Sequence, residues 1–160
     1  MIKALAWVTV SVLMGTSAAQ AAAPDQATLV FCARAAVITE AVTESMSRGQ
    51  SLQESIPPAV AATNTVFKGK IDDTALQLLM PWIRLSEKLP GYQPYTKGSY
   101  IAVSCVAALH ESKFVPYQQP DVMAQVKKLL DTCEAKGTRE VVGQCIKQGF
   151  ASLPLEQTAK

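Results

Sequence analysis

Cys32, Cys105, Cys133, Cys145 and the single histidine, His110, are the residues best suited to reactive chemistry. Two chemistries compete for the cysteines. Zinc needs thiolates and imidazoles that converge tetrahedrally, yet there is no Cys-x-x-Cys pair and only one histidine to help. An even cysteine count in an oxidising compartment reads instead as two disulfides. A cysteine–histidine nucleophile pair at Cys105 and His110 fails on geometry. Five residues along a helix advance about 500°, which leaves the two side chains about 140° apart, and an oxidised cysteine is no nucleophile. His110 reads more simply as a histidine near a helix end.

The carboxylates offer no acid–base pair. Asp72-Asp73 suits helix capping, and Glu40 with Glu44 suits a solvated helix face. There is no glycine-rich phosphate cradle, no G-x-S-x-G and no H-E-x-x-H. The expectation is a chain without catalytic residues, cofactor or metal.

The aromatic residues are unevenly placed. Trp82, Tyr92, Tyr95, Tyr100, Phe114 and Tyr117 fall within one stretch, with tyrosines in or beside two proline-bearing loops, Pro90–Lys97 and Phe114–Pro120. Tyrosine buries a large area at low entropic cost and keeps a polar tip, so Tyr92, Tyr95 and Tyr117 are candidate partner-binding residues. The competing reading places them at the ends of the bundle core.

The elements that must position these residues begin after a leader. Lys3, an apolar run from Ala4 to Met14 and Ala19-Gln20-Ala21 follow the three-part plan of a secretory signal peptide over residues 1–21. Cleavage after Ala21 would start the mature chain at Ala22, giving a single domain over 22–160. The apolar run is well short of the roughly 20 residues a membrane-spanning helix needs, so no stable membrane insertion is expected after cleavage. The leader is of the bacterial type, and the periplasm is the expected compartment. Removing Lys3 from 15 basic residues leaves 14 against 13 acidic ones, and the longest basic run is Lys127-Lys128. Scattered charge of this kind gives nucleic acid no groove.

Apolar spacing is helical nearly throughout, which predicts an all-α bundle of about five to six helices. A first helix starts near Asp25, carries Phe31, Ala35, Ile38, Val42 and Met46 on one face, and ends at Gly49. Ser51 and Glu54 have capping-box spacing, but Pro57-Pro58 should interrupt that start, leaving a short helix from Pro58 to Phe67 that ends at Gly69. Asp72 or Asp73 caps a third helix, apolar on both sides, expected to kink at Pro81 and to form the centre of the core. A fourth helix runs near Gly98 to Lys113. The fifth opens at Pro120 and carries Val122, Val126, Leu129, Leu130 and Cys133. The sixth follows Thr138 through Val141, Val142, Cys145 and Ile146, before a polar, frayed tail from Leu153 to Lys160.

Four cysteines admit three pairings, which this helical register ranks. Cys133 precedes Gly137 by four residues and Cys145 follows Thr138 by seven, so an antiparallel hairpin brings them within a small shift of bridging distance. Cys32 and Cys105 lie mid-helix on apolar faces. The favoured pairs are Cys32–Cys105 and Cys133–Cys145.

An exported bundle with Cys32 in its first helix and a later helix reading Cys105-Val106-Ala107-Ala108-Leu109-His110-Glu111-Ser112-Lys113 resembles the periplasmic immunity proteins of type VI secretion amidase effectors. The resemblance implies a protein that binds a peptidoglycan-degrading enzyme and blocks its active site. The expected function is therefore that of an exported disulfide-bonded binding protein, an inhibitor or immunity protein with a protein partner. The alternative is a structural or chaperone-like envelope protein without one dedicated partner. A chaperone of that kind would expose apolar surface on acidification, whereas an immunity protein would stay compact and hold its partner tightly.

Overall fold

The computed structural model describes residues 23–111, 113–114, 120–153 and 156–157; the leader and Tyr117 lie outside the described residues. The described residues form an all-α bundle of six helices with two disulfides, Cys32–Cys105 and Cys133–Cys145.

Helix α1 spans Gln26–Ser47. Asp25 caps it, its carboxylate accepting from the Thr28 backbone N–H at 2.7 Å, and this bond holds the Asp25 carboxyl below its ordinary pKa. At the other end the Gly49 N–H donates to the Met46 carbonyl and the Gln50 N–H to the Ser45 carbonyl. Gly49 has φ +92°. These bonds form a Schellman motif, which needs a left-handed residue where glycine stands.

Helix α2 spans Leu52–Val66, six residues longer at its start than the prolines suggest. The capping box is intact: Ser51 Oγ accepts from the Glu54 N–H, and the Ser51 N–H donates to Glu54 Oε2 at 2.9 Å. Pro57 and Pro58 sit inside the helix. The carbonyls that lose their donors belong to Gln53 and Glu54, both exposed, so water can satisfy them. Burial of Ser55, Ala59 and Thr63 along one face then outweighs the local preference of the residue before proline.

Helix α3, Asp73–Leu85, begins at the Asp72 cap, runs on through Pro81 and continues as a 3-10 turn over Ser86–Lys88. It is not the centre of the core. Leu79 and Ile83 are buried, but Leu78 on the opposite row is 62 % exposed. Helix α4, Pro94–His110, supplies the centre with α1. The Cys32–Cys105 bridge joins their middles at a Cα separation of 5.5 Å, and Glu40 of α1 lies against Gly98 of α4, so the two run antiparallel. By length and apolarity α1 could cross a membrane. Here Cys32, Ala35, Ile38 and Val42 are buried in the bundle instead.

Helices α5, Pro120–Glu134, and α6, Arg139–Phe150, form the expected hairpin. Cys133–Cys145 closes it at 5.5 Å between Cα atoms, and α6 packs on α4. The buried row of α5 is Val122, Met123, Val126, Leu130 and Cys133, while Leu129 is partly exposed. Two residues of the tail pair with the segment after α4. Strands β1, Lys113–Phe114, and β2, Glu156–Gln157, make a minimal antiparallel ladder.

Candidate functional site

The candidate tyrosines Tyr92 and Tyr95 of the sequence lie toward one end of the bundle. Here the C-terminal turns of α1 meet the 3-10 turn, the Pro90–Gln93 loop and the first turn of α4. Between them is a cleft of about 790 Å³. That volume falls within the range of small-molecule sites, roughly 300–1,000 Å³.

Tyr92 forms part of the cleft wall and is half-buried. Its hydroxyl donates to Asp131 Oδ1 at 2.7 Å and lies 3.1 Å from the Lys127 carbonyl of α5. Burial raises the phenol pKa well above its ordinary value, helped by the hydrogen bond to Asp131 and the charges of Asp131 and Glu134. Tyr95 lies in the first turn of α4 rather than in a loop, because the helix opens at Pro94 and not near Gly98. Proline at the first helical position gives up an N–H that would have had no partner. The Tyr95 hydroxyl donates to the Gly137 carbonyl at 3.3 Å. Glu134 completes the attachment: one carboxylate oxygen accepts from the Gln93 N–H at 2.8 Å and from the Thr96 hydroxyl at 2.7 Å. An acidic side chain from α5 thus serves the N-terminus of α4, where the Gln93 side chain makes no cap.

Tyr92 and Tyr95 are therefore brought to one end of the molecule, with their rings partly packed on the core and their hydroxyls used internally. Tyr117 lies outside the described residues. All four cysteines are in disulfides, so none of them is a thiolate nucleophile or metal ligand. Among the described residues no group of three or more histidine, cysteine and acidic side chains is placed to hold a metal ion.

Sequence reasoning missed two residues of this cleft. Lys97 lies within the first turns of α4 with 9 % of its surface exposed, and burial lowers its pKa from the ordinary lysine value. Thr43, on α1, is 8 % exposed, and its Oγ1 is buried without a hydrogen-bond partner. The signal for Lys97 was present. It stands four residues before Ile101 and eight before Cys105, on the apolar stripe of α4, where a lysine is out of pattern.

Beside the cleft Glu40 accepts from Arg139 Nη2 through both carboxylate oxygens at 2.7 Å. Burial nevertheless raises the Glu40 pKa, outweighing the charge and hydrogen bond of Arg139, which is itself largely exposed. Comparison of the chain with family models, with curated proteins and with solved structures gives no match.

Proposed function

We propose that the chain is an exported binding protein that acts by occupying a surface of a protein partner, as an inhibitor or immunity protein for a peptidoglycan-degrading enzyme in the periplasm. The observation that carries this reading is the attachment of the Pro90–Tyr95 segment to α5 and Gly137 through Tyr92, Gln93 and Tyr95. A segment held this way loses little entropy on binding, which is how a surface acquires affinity without mobile parts. The disulfides add to the same effect and suit an oxidising compartment. Tyr92 supplies aromatic area in the cleft wall and Tyr95 follows in the first turn of α4, and tyrosine is a kind of residue that anchors protein interfaces.

Capture of the partner from periplasmic extract by the mature oxidised protein tests the reading. A single peptidoglycan hydrolase should co-purify in a fixed ratio. Tyr92→Ala and Tyr95→Ala should each weaken capture about tenfold or more while helix content stays nearly unchanged. Loss of capture only in proportion to loss of folded protein would return both tyrosines to a purely structural role.

A further inference from the structure

The two disulfides differ in what surrounds them. Cys32 and Cys105 are 1 % and 0 % exposed in the middle of the central α1–α4 pair, so a thiol reaches that bridge only if the core opens. The Cys133–Cys145 bridge is covered on one side only. Cys133 is buried, whereas Cys145 is partly buried and borders a surface groove of about 330 Å³ with Lys136, Glu140, Gln144 and Gln148. Exchange requires a thiolate to approach one sulfur of the bridge, so bridges near the surface are the labile ones.

The position of this bridge gives its opening a consequence. Cys133 stands between Asp131 and Glu134 on α5, whose carboxylates accept from the Tyr92 hydroxyl and from the Gln93 N–H and Thr96 hydroxyl respectively. Gly137, in the turn that the bridge closes, accepts from the Tyr95 hydroxyl. Helix α5 packs chiefly on α6, and α6 on α4, so the bridge is the covalent fastening between these acceptors and the rest of the bundle. A hydrogen bond weakens once donor and acceptor leave the range of about 2.7–3.2 Å, and a small shift of α5 is therefore enough to release the segment.

We propose that Cys133–Cys145 is a dithiol-reducible latch on the Tyr92–Tyr95 surface, opened through Cys145 while Cys32–Cys105 keeps the bundle folded. A thiolate of the dithiol attacks Cys145 Sγ, the S–S bond breaks, and Cys133 leaves as a thiolate that takes up a proton. The second thiol of the reductant then displaces Cys145. The protein gains two electrons and two protons, both supplied by the dithiol, which becomes a disulfide. The effect on partner capture rests on the reading of this segment as the partner surface; the latch itself does not.

The test treats the mature oxidised protein with graded dithiothreitol, alkylates free thiols at intervals and maps the peptides, while amide hydrogen exchange is followed in the same samples. Cys133 and Cys145 should be labelled about tenfold faster or more than Cys32 and Cys105, with helix content unchanged. The Gln93 N–H reads the latch, because it precedes α4 and its described hydrogen bond goes to Glu134. Its exchange should accelerate about fivefold or more in the selectively reduced protein, and likewise in oxidised Glu134→Ala, while the Ile38 and Ile101 amides of the central pair stay protected. Joint reduction of both bridges, earlier opening of Cys32–Cys105, or unchanged Gln93 exchange after selective reduction would overturn the inference. Capture by the selectively reduced protein should weaken about fivefold or more, and equal capture in both redox states would overturn the latch as a control of the surface. Absence of any captured partner in either state would overturn only the protein-inhibitor reading, since Gln93 exchange still decides the latch.

Discussion

Tyr92 carries two roles that can be separated at a single atom. Its ring forms cleft wall, and its hydroxyl ties the loop to Asp131. Tyr92→Phe removes only the tie. Asp131 is exposed and can return to water, so the expected cost is about 1 kcal/mol, read as a fall in Tm of about 3–5 °C. Partner capture by this variant should weaken, because the segment is held less firmly, but by less than in Tyr92→Ala, which also removes the ring. Glu40 gives a second test at this scale. Its folded pKa lies above its ordinary value of 4.5 because burial disfavours the carboxylate. Between the unfolded and the folded pKa the native state binds the proton more tightly than the unfolded chain does. The contribution of Glu40 to stability is therefore largest below about pH 4.5 and falls as pH rises through the folded pKa. Denaturant unfolding across that window should show stability falling with pH more steeply in the parent than in Glu40→Gln. A steeper fall in the variant would mean that the Arg139 pairing outweighs burial.

At the scale of elements, Lys68 shows where helix ends depart from simple punctuation. Helix α2 closes with a Schellman motif whose left-handed residue is Lys68, φ +49°, and not the following Gly69. At Gly69 a Cβ would lie 2.7 Å from Arg34 Nη2, the far end of a flexible side chain that would have to move aside. A non-glycine residue in the left-handed region is strained, so Lys68→Gly should stabilise the protein by about 0.5–1 kcal/mol in denaturant unfolding. Other boundaries were legible for local reasons. Asp25, the Ser51/Glu54 box and Asp72 each satisfy a donor that a helix start must satisfy, and each marks a start in the structure. Two starts were misread because a local rule lost to packing or was applied to the wrong residue. Pro57-Pro58 sits inside α2, since the acceptors it deprives face water. Helix α4 opens at Pro94, where proline suits the first position, while Gly98 lies in the interior with Glu40 pressed against it. The double apolar stripe of α3 suggested a central helix. Both stripes are partly covered, Leu79 and Ile83 on one and Leu85 and Leu89 on the other, but Leu78 stays exposed and α1 with α4 occupies the centre.

Across the whole molecule, helical register ranked the three possible cysteine pairings, and the favoured one is the one formed. Pairing mid-helix Cys32 with mid-helix Cys105 needs only that their apolar faces meet, and the short hairpin leaves Cys133 opposite Cys145. Cross-links spanning 73 and 12 residues restrict the unfolded chain by about 4 and about 3 kcal/mol in the chain-entropy account. The longer link fixes α1 to α4, the two helices that bring Thr43 and Lys97 to the cleft. The site was legible only in part. Tyr92 and Tyr95 stood out by type and by neighbouring prolines, and Lys97 is out of pattern on the apolar stripe of α4, whereas Thr43 looked like ordinary helix interior. The Thr43 hydroxyl is distinguished by burial without a partner, which only three-dimensional packing reveals.

The most direct measurement is the release of soluble fragments from purified peptidoglycan by the peptidoglycan hydrolase that the chain is proposed to capture, with the mature oxidised chain added. The account predicts that an equimolar amount abolishes release, and that Tyr92→Ala with Tyr95→Ala requires about tenfold more protein or greater for the same effect. Undiminished release at a large excess of folded, fully oxidised chain would contradict it.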